Sequence, residues 1–250
     1  MKNNLMFGEY ARIYDLVYSG KDYKKESEEI TKIIKKYKKS QGNELLEFAV
    51  GTGNYLQYLK KYFHVAGVDI SGEMLKIAKK KLHGIKLIKG DMAKINLGKQ
   101  FDVVLCLFSS IGYAKNYKNL ERTIKNFSRH LKKGGILIIS PWFGEKNFKP
   151  GRNVGTYGDD NIKIARIYVA EKDKGVSILN LYFLISEKGK DVKYVKDRHE
   201  LGLFERGKFL KIMKKNCLKS KIIKINQNKN AKKQFLSDDI KNSFFVGVKK

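Results

Sequence analysis

The stretch LLEFAVGTGNYLQYL, residues 45–59, constrains the fold more than any other part of the chain. An apolar run of strand composition breaks off at two glycines, Gly51 and Gly53, and apolar residues then return at helical spacing. Glycines let the backbone turn tightly and approach a ligand, and they leave N–H groups exposed at the start of the next helix. The stretch therefore predicts a strand, a ligand-binding turn and a helix.

Strands and helices continue to alternate up to residue 142. The segments HVAGVDI, IKLIKGD, FDVVLCLF and ILIISPW have strand composition, and amphipathic segments lie between them. One of these carries the apolar stripe Leu120, Ile124, Phe127 and Leu131, and we expect its helix to stop at the glycine pair that begins at Gly134. The alternation predicts an α/β fold with a doubly wound, mostly parallel sheet.

The pattern changes in the last third of the chain. The segments NIKIARIYVAE, VSILNLYFLIS and DVKYVKDRHELGLF have strand composition with no helix between them, which predicts an antiparallel insertion. We expect one domain over residues 1–250, with four parts. These are an N-terminal helical lid (1–40), a ligand-binding core (43–142), the insertion (155–204), and a closing helix with the last two strands (205–250).

The excess of basic residues is typical of nucleic-acid-binding proteins, so this class of function is considered. Lysine and arginine number 53 against 25 acidic residues, for a formal net charge of +28. Only seven of the 53 are arginine, which is the residue preferred for bidentate phosphate and base contacts. We interpret the lysine excess as solvated helix surface, so nucleic acid is not the expected partner.

The apolar runs and the cysteines bear on the location of the protein and on whether it has disulfides or a metal site. The longest runs are too short to span a bilayer, and the chain begins without a signal-like apolar segment, which predicts a cytoplasmic protein and no membrane partner. Cys106 and Cys217 lie outside any metal-ligand spacing, and the histidines are scattered. No disulfide and no metal site is predicted.

Two carboxylates follow the second and third predicted strands. Asp69 ends the second strand, where a carboxylate can accept hydrogen bonds from both hydroxyls of a ribose. Asp91 follows the third strand with Met92 beside it, a polar group and an apolar wall suited to an adenine ring. Because the carboxyl ends of parallel strands meet at one edge, the sequence predicts a nucleoside-containing ligand there.

The motifs LLEFAVGTG, GVDISGEML, GDM and FDVVLCLFSSIGY resemble, in order and spacing, those of S-adenosylmethionine-dependent methyltransferases of the Rossmann-like class. The resemblance implies a seven-stranded sheet closed by an antiparallel last strand. It also implies a set of cofactor-binding residues: Glu47, Gly51, Thr52 and Gly53 at the methionine portion, Asp69 at the ribose, Ile70, Asp91 and Met92 at the adenine, and Phe108 nearby.

A narrower resemblance rests on YARIYDLVYSGKDYKKE, LFSSIGY, ISPWF and FFVGV. These are similar to N-methyltransferases that dimethylate the amino group of nucleotide-linked deoxyamino sugars. The resemblance implies that Tyr14 and Tyr23 approach the cofactor, that Tyr113 and Trp142 face the sugar, and that the insertion forms a homodimer surface. The chain departs from that family in the polar loop 226–242, and glycine-like amines, thiols and carboxylates stay open as alternative acceptors.

Methyl transfer to an amine sets the expected chemistry. Displacement at a sulfonium-activated methyl depends on positioning and desolvation, and the amine must be neutral to attack. We expect Tyr14 and Tyr113 to be catalytic, orienting the amine or relaying its proton, with Asp15 as an alternative. A diphosphate linker would suit basic groups on or beside the insertion, for which the candidates are Arg152, Arg166 and Arg198.

Two alternatives are weighed against this interpretation. An RNA or DNA exocyclic-amine methyltransferase should carry a [DN]PP[FYW] motif after the fourth strand, where this chain has FSSIGY, and a cytosine-C5 enzyme needs a Pro-Cys nucleophile that is absent. A non-enzymatic member that only binds cofactor has the same glycine loop and strand-end carboxylates, so the sequence leaves that alternative open.

Overall fold

A computed structural model describes residues 5–225 and 243–250, and these form eleven strands and six α-helices. The strands are β1 (Glu44–Phe48), β2 (His64–Asp69), β3 (Lys86–Lys89), β4 (Phe101–Cys106), β5 (Leu131–Ile139), β6 (Gly151–Gly158), β7 (Ile162–Asp173), β8 (Val176–Glu187), β9 (Lys193–Gly202), β10 (Leu218–Lys224) and β11 (Ser243–Lys249). The helices are α1 (Tyr14–Val17), α2 (Tyr23–Tyr37), α3 (Leu56–Leu59), α4 (Gly72–Lys81), α5 (Tyr117–Arg129) and α6 (Arg206–Lys215). None of the described helices is long and apolar enough to cross a membrane.

Seven strands form one twisted sheet in the order β10-β11-β5-β4-β1-β2-β3. Strands β3, β2, β1, β4 and β5 are parallel, and β11 runs antiparallel to both β5 and β10. The strand order reverses between β1 and β4, and ligands bind at such a switch point, beyond the carboxyl ends of the strands. The predicted α/β fold with a mostly parallel seven-stranded sheet is confirmed.

Successive side chains of the central strands point to opposite faces of the sheet and pack into two cores, one on each face. On β4, Val103 and Leu105 join the cluster under α2, α3 and α4, while Val104 and Cys106 join the cluster under α5 and α6. All four side chains are fully buried. A strand buried on both faces is a nearly continuous apolar run, which is why the residues after Asp102 in FDVVLCLF show no alternating pattern.

The insertion is a separate antiparallel sheet with strand order β6-β7-β8-β9. Its inner face packs on the N-terminal segment, where Met6, Ile13 and Val17 meet Ile164 and Phe183. The predicted antiparallel insertion is confirmed, but it has one strand more than expected. Strand β6 begins before residue 155, and its glycine-rich sequence GRNVGTYG gives no local strand signal, so pairing with β7 creates it.

The helix expected to run to Gly134 ends earlier. Helix α5 stops at Arg129 and Leu131 begins β5, where it pairs with Phe101. The next pair is Val103 with Ile136, so Gly134, at φ +75°, lies in a bulge rather than at a helix end. Pairing with β4 overrides the helical spacing of the apolar residues. The predicted polar loop 226–242 lies outside the described residues.

Candidate active site

Three residues of the turn after β1 have a left-handed backbone conformation. Ala49 has φ +56°, Gly51 +57° and Gly53 +81°. A Cβ on Gly51 would meet no atom within 4 Å, whereas a Cβ on Gly53 would lie 2.5 Å from Leu82 Cδ1. The first glycine therefore faces open space at the edge of the sheet, and the second allows the residues after α4 to pack against the turn.

Asp69 joins the end of β2 to this turn. Its carboxylate accepts hydrogen bonds from Gly51 N at 2.7 Å and Ser71 N at 2.8 Å, and its backbone oxygen accepts one from Gly90 N at 2.8 Å. Burial raises the pKa of Asp69, and the backbone donors partly offset that effect. A carboxylate has about four lone-pair sites, so Asp69 retains acceptor capacity for the hydroxyls of a ribose.

Glu47 contributes an acceptor that the described residues leave unused. Its side chain is buried, and no hydrogen-bond partner for Oε2 occurs within residues 5–225 and 243–250. Burial raises its pKa well above the ordinary value, and the charges of Asp69 and Glu26 add to the effect. A buried acceptor without a donor is a feature that a ligand ammonium group would satisfy.

A cleft with about 330 Å³ of open space lies between the ends of β1 and β4 and the N-terminal segment. It is lined by Tyr14, Tyr23, Glu47, Ala49, Val50, Gly51, Thr52, Asn54, Tyr55, Leu107, Phe108 and Ser110. Six of the predicted cofactor residues are in this lining. Asn54, Tyr55 and Ser110 were not predicted, although they directly follow the GTG turn and Ser109.

The remaining predicted cofactor residues lie beside this cleft rather than in its lining. Gly53 packs against Leu82, and Ile70 follows Asp69 with 46% of its surface exposed. Asp91 closes a turn, with Oδ1 accepting from Ala93 N at 2.8 Å. Met92 packs against the core beneath. Exposed Ile70, next to the Asp69 carboxylate, is an apolar surface of the kind an adenine ring would cover.

A second strained turn follows β4. Phe108 and Ser109 have φ +50° and +61°, and the Ser109 hydroxyl donates to Pro141 O at 2.5 Å. Two successive left-handed residues other than glycine store strain, and such strain is concentrated at functional sites. The turn places the Phe108 ring 5.1 Å from Tyr18 and 6.5 Å from Tyr23, so it closes one wall of the cleft.

Asp15 fastens α1 to the glycine turn. Its carboxylate accepts from Thr52 Oγ1 at 2.6 Å, Asn54 Nδ2 at 2.9 Å and Lys81 Nζ at 2.8 Å. Burial raises the pKa of Asp15, but the donors Lys81, Thr52 and Asn54 outweigh that effect and lower it. A lowered pKa and three donors make Asp15 an anionic anchor, which does not support the alternative role of proton relay.

Tyr14 and Tyr113, the two predicted catalytic tyrosines, share one aromatic cluster. Tyr113 lies on the 3₁₀-helix Ser110–Ala114, and Phe7 lies between the two tyrosines, 6.1 Å from Tyr14 and 5.8 Å from Tyr113 between ring centroids. Burial raises the pKa of both hydroxyls well above the ordinary value, so both are neutral. Tyr113 Oη lies 2.7 Å from Nδ1 of His199, a residue that was not predicted.

Trp142 lies at the base of the insertion. Its Nε1 donates to Ser177 Oγ at 2.8 Å, and its ring is 4.9 Å from that of Phe143. The indole is therefore part of the packing between β5 and the insertion. Its role toward the sugar stays a prediction.

The three candidate arginines lie on two different faces of the insertion. Arg166 is on the inner face and is 3% exposed, and its Nη2 donates to Tyr157 Oη at 2.5 Å. It also hydrogen-bonds Tyr18. Arg152 and Arg198 are exposed on the outer face, where Arg198 pairs with Glu200. The structure thus brings only Arg166 toward the aromatic cluster.

Comparison with known proteins places these features in a family. A family model described as a methyltransferase domain matches residues 45–135. A dTDP-3-amino-3,4,6-trideoxy-alpha-D-glucopyranose N,N-dimethyltransferase of Streptomyces venezuelae is 31% identical over 205 residues, which covers 80% of this chain and 86% of that protein. A dTDP-3-amino-3,6-dideoxy-alpha-D-glucopyranose N,N-dimethyltransferase of Streptomyces fradiae is 29% identical, with 81% and 80% covered.

Solved structures extend the likeness over the insertion. The crystal structure of Streptomyces venezuelae DesVI superposes with a TM-score of 0.85 and 28% identity, covering 96% of this chain and 98% of that one. The sugar N-methyltransferase KedS8 from Streptoalloteichus gives 0.83 and 27%, covering 95% and 92%. The chain therefore belongs to the S-adenosylmethionine-dependent methyltransferases, in the family that includes these sugar N-methyltransferases.

Proposed function

We propose that the protein transfers methyl groups from S-adenosylmethionine to the amino group of a nucleotide-linked deoxyamino sugar. The observation that carries the proposal is the extent of the match, because 86% of a dTDP-amino-sugar dimethyltransferase aligns with the chain. The likeness is not confined to the cofactor-binding core that many methyltransferases share. The solved sugar methyltransferases also cover the N-terminal segment, which lines the cleft, and the insertion that packs on that segment.

The cleft residues fit the cofactor in three ways. Glu47 Oε2 would accept from the ammonium of the methionine portion, Asp69 would accept from the ribose hydroxyls, and Gly51 leaves room for close approach. When bound, S-adenosylmethionine supplies an electrophilic methyl group on a sulfonium. The chain itself positions the acceptor and excludes water with the aromatic side chains Tyr14, Tyr23 and Phe108.

The acceptor would lie under the inner face of the insertion. Arg166 is a buried cation held between the hydroxyls of Tyr157 and Tyr18, and a guanidinium in that setting binds phosphate oxygens in bidentate fashion. Tyr113 lies in the same aromatic cluster as Tyr14, so the amine would reach the neutral hydroxyls while the diphosphate reaches Arg166. A cytoplasmic location would suit both substrates, which are intermediates of cytoplasmic metabolism.

We further propose that a second copy of the chain covers the outer face of the insertion. Val154, Ile167, Leu184 and Tyr194 are 69%, 52%, 51% and 63% exposed there. Val154 pairs with Ile167 and Leu184 pairs with Tyr194, and Leu184 lies diagonally next to Ile167 because its own partner is Ala165, so the four form a diagonal apolar row across four strands. Exposed apolar areas of this kind on a sheet are typical of subunit interfaces.

The test is a methyl-transfer assay with purified protein. S-adenosylmethionine is supplied with a dTDP-3-amino-dideoxy sugar, with simple primary amines and with total RNA, and the products are examined by mass spectrometry. A mass gain of one or two methyl groups on the sugar nucleotide supports the proposal and counts the methyls. Label confined to RNA or to the simple amines would overturn it.

A further inference from the structure

We propose that Tyr113, His199 and Asp197 form a proton relay, in which the Tyr113 hydroxyl takes a proton from the acceptor amine while it passes its own proton to His199. The proposal rests on the N-methyltransferase function proposed above. In it Tyr113 is the catalytic residue, and His199 and Asp197 are positioning residues that act through it.

The three side chains form one hydrogen-bonded line. Asp197 Oδ2 lies 3.0 Å from His199 Nε2, and His199 Nδ1 lies 2.7 Å from Tyr113 Oη. Asp197 and His199 are two residues apart on β9, so both side chains project from the inner face of the insertion. Each is 4% exposed. A buried polar line of this geometry has a fixed direction, because bulk water cannot replace its partners.

Asp197 determines that direction. Its carboxylate also accepts from Leu5 N at 3.1 Å, Met6 N at 2.9 Å and Arg198 N at 3.0 Å. Burial raises its pKa, but the His199 hydrogen bond, the His199 charge and the backbone donors outweigh that effect and lower it. The group is therefore an ionised, acceptor-only carboxylate, and His199 must carry its hydrogen on Nε2. Nδ1 is then the acceptor for the Tyr113 hydroxyl hydrogen.

This tautomer leaves the oxygen lone pairs of Tyr113 available toward the acceptor. Tyr113 follows Ser110, which lines the cleft, and its ring contacts Phe7, which in turn contacts Tyr14 in the cleft lining. A hydroxyl that donates to a histidine is a better acceptor for an amine N–H. The line therefore leads from the aromatic cluster, where the proposed function places the amine, to the buried face of the insertion.

The relay explains how Tyr113 can take up a proton from the amine without first becoming a phenolate. Burial raises the pKa of Tyr113 well above the ordinary value, and the nearby Tyr18, Asp197 and Asp69 add to the effect. Tyr113 therefore cannot hold a phenolate charge. In the relay, one N–H bond of the ammonium breaks and the proton joins Tyr113 Oη, while the Tyr113 proton joins His199 Nδ1. The imidazolium that forms lies beside the Asp197 carboxylate, and the amine is left neutral, with the lone pair that methyl transfer would require.

The titratable groups around the relay come from three further elements. Tyr14 and Tyr18 face it from the N-terminal segment, Asp69 acts on Tyr113 from the end of β2, and Arg166 on β7 hydrogen-bonds Tyr18. The tyrosines are neutral, and the Arg166 cation is bonded to Tyr157 and Tyr18, whereas the Asp197 carboxylate contacts His199 directly and stabilises an imidazolium there. When the product leaves the cleft, the proton on His199 returns through Tyr113 to the water that enters.

Nitrogen NMR of labelled histidine tests the geometry without any substrate. The chain has four histidines, and His130 provides an internal reference because its Nε2 accepts from Leu97 N at 3.1 Å and its Nδ1 lies 2.8 Å from Asn126 O. We expect the Nε2–H tautomer for His199, the Nδ1–H tautomer for His130, and a shift of the His199 Nδ1 signal in Tyr113→Phe. An Nδ1–H tautomer at His199 in the wild type would overturn the relay.

The pH dependence of kcat tests the function of the relay. His199→Gln and Tyr113→Phe should lower kcat about 100-fold near pH 7, the usual scale of general-base catalysis, and the deficit should shrink as rising pH deprotonates the amine. The double variant should be no slower than either single one, because one pathway is cut. Affinity for S-adenosylhomocysteine, measured by calorimetry, should stay within about twofold, and exposed His83→Gln should match wild type.

The outcomes separate the two proposals. If wild-type protein methylates no sugar nucleotide, the proposed function fails, while the NMR result still decides the hydrogen-bond direction. If the wild type is active and the variants lose the same fraction of kcat at every pH, His199 is only structural and the relay is overturned. Full kcat in His199→Gln would overturn it as well.

Discussion

The Asp15 carboxylate accepts a hydrogen bond from the Thr52 hydroxyl at 2.6 Å, and this contact joins the N-terminal segment to the turn after β1. Because Lys81 Nζ donates to the other Asp15 oxygen at 2.8 Å, one side chain connects three parts of the molecule. Asp15 therefore holds the N-terminal segment against both the turn and α4.

Replacing Asp15 with alanine should loosen the N-terminal segment without unfolding the sheet. Thr52, Asn54 and Lys81 lose their shared acceptor, so we expect affinity for S-adenosylhomocysteine to fall about tenfold, equivalent to about 1.4 kcal/mol. Titration calorimetry measures the affinity, and hydrogen exchange of residues 5–18 reports the loosening. Glu73→Gln, which removes only an exposed pair with Lys76, is the matched control. Equal affinity in both variants would contradict this role.

The same contact should respond to acid. Asp15 has a lowered pKa in the folded protein, so its contribution is present above the unfolded value of about 3.9 and is lost as the pH falls through the folded value. Hydrogen exchange of residues 5–18 should therefore accelerate below about pH 4 in the wild type. In Asp15→Ala the exchange rate should already be high at neutral pH and lack that acid step.

Glu47→Gln should make the unliganded protein more stable and the cofactor complex weaker. A raised folded pKa means that the stabilising contribution of Glu47 is complete below about pH 4.3 and is lost as the pH rises through the folded value. The neutral amide avoids that loss, so we expect a gain of about 1 to 3 kcal/mol at neutral pH and little difference near pH 4. Urea unfolding at several pH values measures it, with calorimetry for the cofactor. A variant less stable at neutral pH would contradict the prediction.

Arg166→Met should raise KM for the sugar nucleotide about 10- to 100-fold, because the substitution removes the buried guanidinium that we propose binds the diphosphate. Affinity for S-adenosylhomocysteine should not change, since Arg166 lies on the insertion rather than in the cleft lining. The matched control is Arg152→Met, which removes the same charge from the exposed outer face. Steady-state kinetics with a dTDP-amino sugar distinguishes them, and equal effects of the two substitutions would count against a phosphate role for Arg166.

Ile167→Asp together with Leu184→Asp should convert the proposed dimer to monomers. The substitutions place charges in the middle of the exposed apolar area while the inner face keeps its packing. Sedimentation velocity at several concentrations measures the mass, and Lys188→Asp in the adjoining turn is the control. A wild-type protein that is monomeric throughout the concentration range would remove the basis for this proposal.

The glycine turn and the strand-end carboxylate of the candidate cofactor site could be predicted because their signals are local. The turn with Gly51 and Gly53 and the strand-end Asp69 each follow directly from neighbouring residues in the sequence. The strain at Ala49, Phe108 and Ser109 could not be predicted, since these residue types give no sign of a left-handed backbone.

The proposed acceptor half depends on which face of the insertion each residue occupies. On β7, Ile162 and Ile164 alternate with Ala165 and Ile167, so both faces are apolar and the sequence does not reveal that Arg166 points inward. On β9, the buried face carries two polar side chains, Asp197 and His199, between Val195 and Leu201. Such a mixture of polar and apolar residues is typical of a solvent-exposed face, so the sequence does not indicate burial. Their burial becomes evident only when the N-terminal segment packs on the insertion.

Asp197 receives its donors from the backbone of Leu5 and Met6 rather than from their side chains. The contact with Leu5 is therefore insensitive to side-chain identity and excludes only proline, which has no N–H to donate. Homologous enzymes can diverge at that position and still keep the carboxylate anchored, so sequence variability at the start of the chain is compatible with an unchanged acceptor site.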